Sequence, residues 1–514
     1  MSRIKLALSF FSLLFFPFYV YAVDSTFDFT NNNIPQYYND NNWLNNKIDQ
    51  INNNANVSEG VSFVFITDMH FYANTGYSAA LIRKITENKK ISFVINGGDQ
   101  VRAYGTKDDI LDDAKTYANF VKSLNVPVYT VRGNHDYTIQ TDKDNYTGYT
   151  FTENDIYNLM MGTITDTKIN KKSDKLYYYY DDEVNMVRYI FLDVFSKNKG
   201  ENVPFGLVQN MDNEQINWFL NEAINVDKYK FVIVSHAPVT DKMEYSVKET
   251  AYIIYEIEKA INNHSIFSYE LNGVKYYKDF RKSRNYVLCH LSGHSHQDRS
   301  DTTDNVISIG TTSDAAFHDD TDDSGKMILR EKNTINEQAF DVITIDFTNQ
   351  KISATRVGAR NNRSWNYKET TSIFGNVIWK NDDLSNRPNS VNLKLINSEN
   401  KVVDSIKLVP NDDGNWEYIF NNVPVYDGKS KITYRVIQDD IDGYTTINSN
   451  NHITNSYIVK NNSNDDNDKY NDKNTDQMLF DNPQTGERNL LLVSTVLFII
   501  LISILVYYSK KIKL

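Results

Sequence analysis

Residues 61–70 read VSFVFITDMH, and this stretch decides the fold. Val61, Phe63, Val64, Phe65 and Ile66 are β-branched or aromatic and follow one another almost without a polar break. A half-buried strand would alternate apolar and polar residues, and a helix needs a longer run. A short continuous apolar run is a strand buried on both faces. The run then stops at Asp68 and His70, two side chains able to hold a metal ion.

The pattern recurs along the chain. ISFVING (91–97), VPVYTV (126–131), MVRYIFLDV (186–194), KFVIVSH (230–236) and YVLCHLSG (286–293) read as further buried strands. YSAALIRKITEN (77–88), ILDDAKTYANFVKSL (110–124) and DNEQINWFLNEAI (212–224) read as amphipathic helices between them. Strand–helix alternation predicts an α/β domain with some parallel pairing. FDVITIDFTNQKISATRVG (340–358) predicts a hairpin turning at residues 349–350, and the domain is expected to span 59–369. Ahead of it, residues 23–58 are Asn-rich; Leu44, Ile48 and Ile51 lie at helical spacing and predict a short docking helix.

Each buried strand ends in polar residues with lone pairs to offer. Beyond Asp68 and His70 these are Asp99, then Asn134 and His135, then His236, then His294 and His296. In open α/β sheets the carboxyl ends of strands converge on one crevice. Residues i and i+2 of an extended segment point the same way, so Asp68 with His70, and His294 with His296, are expected to share a face. Gly293 lets the backbone approach closely. Mixed imidazole and carboxylate donors suit Mn, Fe, Zn or Ni better than Ca or Mg.

D-x-H, G-D, G-N-H-D, a lone strand-end His and G-H-x-H in this order resemble the calcineurin-like metallophosphoesterase superfamily over roughly residues 60–365. The resemblance implies two mixed β-sheets packed face to face with helices outside, and two divalent transition-metal ions at the strand ends. It assigns Asp68, His70 and His296 to one ion, Asn134, His236 and His294 to the other, and Asp99 to both. His135 matches the residue that contacts substrate phosphate and protonates the leaving group. The implied reaction is hydrolysis of phosphate mono- or diesters by direct attack of a hydroxide held between the ions. Asp136 is counted with His135 and Asp99 as a catalytic candidate that orients the loop, a solvated turn carboxylate being the alternative reading. Purple acid phosphatases carry a Tyr three residues after the bridging Asp; Arg102 stands there instead, which argues against a tyrosinate–iron site and makes Arg102 a candidate phosphate contact. Two other readings are a surface adhesin that uses such a domain only for binding, and a nuclease of the same superfamily. A formal net charge of −12 argues against the nuclease and any long nucleic-acid partner.

The remaining reactive residues read more plainly. Cys289, the single cysteine, excludes an intrachain disulfide and is expected as a buried small hydrophobe. His290 is expected in the strand core or beside the site, His318 in a loop, and His264 and His452 at the surface. The acidic run 319–323 reads as a solvated loop, and the tyrosines at 177–180 as alternating core and surface.

Residues 371–460 change character: short strands separated by Asp, Asn and Gly turns, with no helical stretch, predict a small β-sandwich. SIFGNVIWKNDD, NWEYIFNNVPVYD and ITYRVIQDDIDGY resemble a B-type repeat of the collagen-adhesin family, whose members often carry a Lys–Asn isopeptide bond formed beside a Glu. Asn455 matches the Asn, but Val377 stands at the Lys position and Gln438 at the Glu position. No isopeptide bond is therefore expected; Lys380 is out of register, and the module reads as a spacer.

Both ends carry address-like segments. Residues 1–22 have two basic residues, an apolar run and a small-residue end, as a secretory signal does. Residues 461–489 are polar enough for a disordered spacer and end near NPQTG (482–486), which resembles a sortase sorting signal with Asn482 in place of the usual Leu. Such a signal implies that sortase joins Thr485 to peptidoglycan. Residues 490–508 are uncharged and long enough to cross a membrane, and 509–514 form a basic tail. The expected setting is the outer surface of a Gram-positive cell.

Overall fold

The computed structural model describes Phe29 and residues 33–458, apart from 71–74, 103–104, 137, 140–148, 151–167, 173–174, 197–208, 210, 244–248, 317–329 and 450–451. The expected signal segment, spacer, sorting motif with Thr485, apolar span and basic tail lie outside the described residues, as do His318 and the run 319–323. No helix among the described residues is long and apolar enough to cross a membrane.

In chain order, helix α1 (Trp43–Ala55) precedes β1 (Gly60–Ile66), α2 (Thr75–Ile85), β2 (Ile91–Asn96), α3 (Lys107–Ser123) and β3 (Val128–Thr130). Next come β4 (Ile169–Lys171), β5 (Tyr178–Asp182), β6 (Val187–Phe191), α4 (Asn213–Trp218), β7 (Lys230–Val234) and α5 (Glu249–Asn262). Then follow β8 (Tyr286–Ser292), β9 (Arg299–Asp301), β10 (Ser308–Gly310), β11 (Ala339–Asp346), β12 (Lys351–Gly358) and β13 (Arg363–Asn366). They build a six-stranded sheet, β13-β12-β11-β1-β2-β3, and a seven-stranded sheet, β9-β10-β8-β7-β6-β5-β4. β1, β2 and β3 run parallel, as do β6, β7, β8 and β10, while the outer strands are antiparallel.

The opening stretch shows why both faces are apolar. Phe63 and Phe65 point into the core between the sheets, where Phe63 meets Tyr189 of β6 edge-on at 5.6 Å. Val64 and Ile66 point to the other face, against Leu44 and Ile51 of α1, Leu81 and Ile82 of α2 and Phe120 of α3. Burying each such side chain contributes roughly 1.5–3 kcal/mol, which is why this strand tolerates no charge before Asp68. α3 starts on a capping box: Thr106 Oγ1 accepts from the Asp109 amide, and the Asp109 carboxylate accepts from the Thr106 amide.

Two buried ion pairs tie the layers together. Arg132, just past β3, places Nε and Nη2 at 3.0 and 2.8 Å from Asp193 Oδ1, just past β6. At the other end of the site, Arg356 of β12 faces Asp341 directly across the ladder, with Nε 2.8 Å from Oδ1. Arg363 Nη2 reaches Asp341 at 2.7 Å, and Arg356 Nη2 reaches Asp298 at 2.7 Å, two residues from His296. Burial opposes ionisation of Asp341, but Arg356 and Arg363 hold its carboxyl well below the usual range. Removing one member of a buried network leaves an uncompensated charge. Arg356→Met is therefore expected to cost about 3–5 kcal/mol near neutral pH. The sign with pH follows from linkage: a depressed carboxyl stabilises above its unfolded value and loses that stabilisation as pH falls toward the folded one. The deficit of Arg356→Met should thus narrow on going to about pH 3, below the unfolded value of about 3.9. Urea denaturation of the metal-free protein at both pH values measures it; an unchanged or wider gap counts against the network.

Beyond β13 the chain forms β14 (Thr370–Lys380), β15 (Val391–Asn397), β16 (Val402–Leu408), β17 (Glu417–Pro424), β18 (Tyr434–Gln438), β19 (Tyr444–Ser449) and β20 (His452–Tyr457). These make a four-stranded sheet, β17-β14-β20-β19, and a three-stranded sheet, β16-β15-β18, around Val377, Leu393, Leu395, Tyr418 and Ile453. Val377 is a core residue, and Asn455, fully buried, pairs its side-chain amide with that of Gln438 at 2.9 and 3.1 Å. His452 is exposed as expected, but His264 is not: it is 2% exposed, with Nε2 3.2 Å from Thr370 Oγ1, where β14 begins. The start of the second module covers it, a contact that no local pattern announces.

Candidate metal centre

The loops after β1, β2, β3, β7 and β8 meet at one place because their backbones are stitched to one another. Asp68 N donates to Gly98 O at 2.9 Å, His70 N to Asp99 O at 3.0 Å, and Gly293 N to His236 O at 2.8 Å. Asp136 ties these turns from within. Its carboxylate accepts from the amides of Asp99, Gln100 and Gly133 at 3.0, 2.9 and 2.7 Å. It is buried, not a solvated turn residue; burial, then the charge of Asp99, push its carboxyl up to about 7. Its contacts orient the loop and do not reach into the site.

The structure gathers two sets of donors. Ligand atoms of Asp68, His70 and His296 lie within 4.8 Å of one another, as do those of Asp99, His236 and His294. Asn134 belongs with the second set: its Oδ1 is 3.1 Å from His236 Nε2 and 2.9 Å from His294 Nδ1. Asp99 Oδ2 stands between the sets, 3.1 Å from His236 Nε2 and 4.0 Å from His70 Nε2. His135 Nε2 lies 3.8 Å from the same oxygen, and its amide donates to Asp99 Oδ1 at 2.9 Å. Of these residues only His135, His294 and His296 keep partial exposure, so the site opens on their side.

Extended geometry does not produce this convergence. β1 ends at Ile66 and β8 at Ser292, and Asp68, His70, Asp99, His294 and His296 have φ of 52°, 45°, 53°, 67° and 52°. Five left-handed non-glycine residues cost of order 1–3 kcal/mol each, a strain that accumulates at functional sites. Pairs i and i+2 share a face because the chain coils, not because it is pleated. Gly293 is needed for close approach, since a Cβ there would sit 2.3 Å from Asp68 Oδ2. Gly98 has φ of +102°, and a Cβ would sit 2.5 Å from the His236 ring.

The donors fit metal ions. His70 Nδ1 lies 3.2 Å from Val101 O and His236 Nδ1 2.7 Å from Gly97 O. A carbonyl only accepts, so each Nδ1 carries the proton and Nε2 turns toward the site, as in histidines that bind metal. His70 Nε2 and His296 Nε2 face each other at 3.2 Å, and Asp68 Oδ1 is buried without a hydrogen bond. The electrostatics agree. Burial raises the Asp68 carboxyl, but His236 and His296 outweigh it and bring it down to about 2. Burial lowers His236, but Asp99 and Asp68 outweigh it and lift the ring to about 10. The buried carboxylates demand positive charge, which a divalent cation satisfies better than a proton.

Arg102 has other partners. Its Nε and Nη2 are each 2.8 Å from Asp113 of α3, so the expected phosphate contact gives way to an internal fork. Asp193, Phe195 and Glu258 were not among the sequence candidates. Phe195 stands 6.1 and 6.2 Å from the rings of His236 and His294. Asp193 carried a signal, being one more acid at the end of an apolar strand.

Residues 61–298 match the family described as calcineurin-like phosphoesterase, and residues 373–456 match the Cna protein B-type domain. Collagen adhesin of Staphylococcus aureus is 37% identical over 91 residues, which is 17% of this chain and 7% of that protein. A crystal structure of a single B repeat unit of the same organism's collagen-binding surface protein is 34% identical, covering 17% of this chain and 47% of that one, with a TM-score of 0.16. A dimetal phosphatase from Danio rerio is 14% identical, covering 60% of this chain and 99% of that one, with a TM-score of 0.40. The chain thus carries one segment, residues 61–298, that matches the calcineurin-like phosphoesterase family and another, residues 373–456, that matches the Cna protein B-type domain.

Proposed function

We propose that this chain hydrolyses phosphate mono- or diesters at the outer surface of a Gram-positive cell, using two divalent transition-metal ions (Mn, Fe, Zn or Ni). The observation that carries the reading is the pair of donor sets meeting at Asp99. Asp68, His70 and His296 would hold one ion, Asn134, His236 and His294 the other, and Asp99 both. When bound, such ions neutralise phosphate charge and make water a nucleophile at neutral pH. The chain's own residues do the rest. Asn134 adds an oxygen donor without adding charge. His135, partly exposed beside Asp99, contacts the phosphate and delivers a proton to the leaving group. Asp136 keeps the Asn134–His135 turn against the Asp99 turn. Release of phosphate from a panel of nucleotides, aryl monoesters and diesters, with Mn or Zn added and metal content measured, tests the reading.

A second reading is favoured by the B-type domain and its likeness to an adhesin: a surface protein that uses the phosphoesterase domain for binding. Tight metal binding without turnover across the panel would support it. The negative net charge disfavours a nuclease.

Surface display rests on residue pattern: a secretory signal at 1–22, and sortase linkage through Thr485 or membrane anchoring through 490–508. The B-type module would act as a spacer between enzyme and wall, without an isopeptide bond. Val377 in the core where a Lys is required, and Gln438 hydrogen-bonded to Asn455, support that. Mass spectrometry of the purified protein should show no loss of ammonia and no Lys380–Asn455 cross-link; a cross-linked peptide would refute it.

A further inference from the structure

Behind the centre three buried polar side chains stand in line. Glu258 on α5, His290 on β8 and Ser235 just past β7 are 0%, 2% and 0% exposed. Glu258 Oε1 lies 2.7 Å from His290 Nδ1, His290 Nε2 lies 2.7 Å from Ser235 Oγ, and Ser235 Oγ lies 2.6 Å from Ala237 O. The proton positions follow from what each atom can do. The Ala237 carbonyl only accepts, so the Ser235 hydroxyl donates to it. Oγ has no second proton to give, so His290 Nε2 donates to Oγ. Nδ1 and Oε1 then share one proton. The relay runs in one direction, from the helix to the backbone of the residue after His236.

We propose that Glu258, His290 and Ser235 are positioning residues that fix the turn carrying His236 and thereby set the affinity of one donor set, that of Asp99, Asn134, His236 and His294; the proposal rests on the two-metal reading above. The Ser235–Ala237 bond spans His236. That residue must present Nδ1 to Gly97 O and Nε2 to Asn134 and Asp99, while its own carbonyl accepts from Gly293, next to His294. None of the three relay residues touches a donor atom of the site among the described residues. Packing alone does not explain them. Glu258 Oε2 is buried without a hydrogen bond, and an apolar trio of similar volume would avoid the cost of burying it.

The test is calorimetric titration of the metal-free full chain with Mn²⁺, beside a thermal melt to confirm folding. Wild type should bind two ions. Ser235→Ala and Glu258→Leu should weaken one of them by about 10–100-fold and leave the other. The weakened step should be the one that His236→Ala abolishes, not the one that His70→Ala abolishes. Glu258→Gln, whose amide can donate to His290 Nδ1 and keep the relay's direction, should restore near-normal binding. Should Glu258→Leu not fold, Ser235→Ala, which removes one oxygen, decides. Folded variants that bind both ions normally, or that weaken both equally, overturn the relay alone. A wild type that binds no Mn²⁺ overturns the two-metal reading and the relay with it.

Discussion

Asp99→Asn will lower phosphoester turnover at least about a thousandfold, about 4 kcal/mol of transition-state stabilisation, and will strip metal from both donor sets. The side chain is 1% exposed and its two oxygens have different tasks. Oδ1 accepts the His135 amide at 2.9 Å, whereas Oδ2 faces His236, His135 and His70 at 3.1, 3.8 and 4.0 Å. Asparagine keeps the first contact, so the turn should stay folded. It cannot keep the second: either an NH₂ group, which has no lone pair for a cation, faces the imidazoles, or the amide flips and abandons the His135 amide. The negative charge that Asp99 would share between two ions is lost as well. Metal analysis and turnover on an aryl monoester, with circular dichroism to confirm folding, check the outcome. Two bound ions and unimpaired turnover in the variant would remove Asp99 as the ligand shared by the two donor sets.

What the sequence disclosed, and what it hid, divides by the range of the forces involved. VSFVFITDMH was legible because burial on both faces removes polar residues from consecutive positions, and the strand's end is marked by Asp68. The donors were legible because each follows such a strand. The helix Glu249–Asn262 was not among the expected helices, although Ile253, Ile254, Ile257 and Ile261 lie at helical spacing and are buried, so its amphipathic signal was present in the sequence. Glu258 within that run was a missed signal, since an unpaired acid is rarely placed at a buried position. Arg102 seemed open to substrate because its partner Asp113 is set by the return of α3, and His264 seemed exposed because its cover, Thr370, is 106 residues away. The left-handed turns at Asp68 and His294 were invisible for a different reason. Aspartate and histidine tolerate positive φ without announcing it, whereas Gly98 and Gly293 at least mark where the chain must bend or come close.

His135→Ala separates proton delivery from metal binding, because His135 belongs to neither donor set. It is expected to leave both ions bound and to lower turnover of an alkyl phosphate by about 10²–10⁴-fold, the usual worth of a general acid. An aryl phosphate, whose leaving group departs without a proton, should lose much less. The ring's surroundings explain why the effect depends on substrate. Burial, partly opposed by the charge of Asp99, holds the imidazole down to about 3, so it is neutral near pH 7 in the metal-free chain. A phosphoester brings negative charge to within reach of the ring, and a nearby opposite charge favours the protonated form. On the proposed reading, the substrate would thus create the acid that it needs. If His135 instead only holds a phosphate oxygen through its N–H, alkyl and aryl substrates should suffer alike. Equal losses on both would assign the residue to binding; a loss confined to the alkyl ester would assign it to the leaving group.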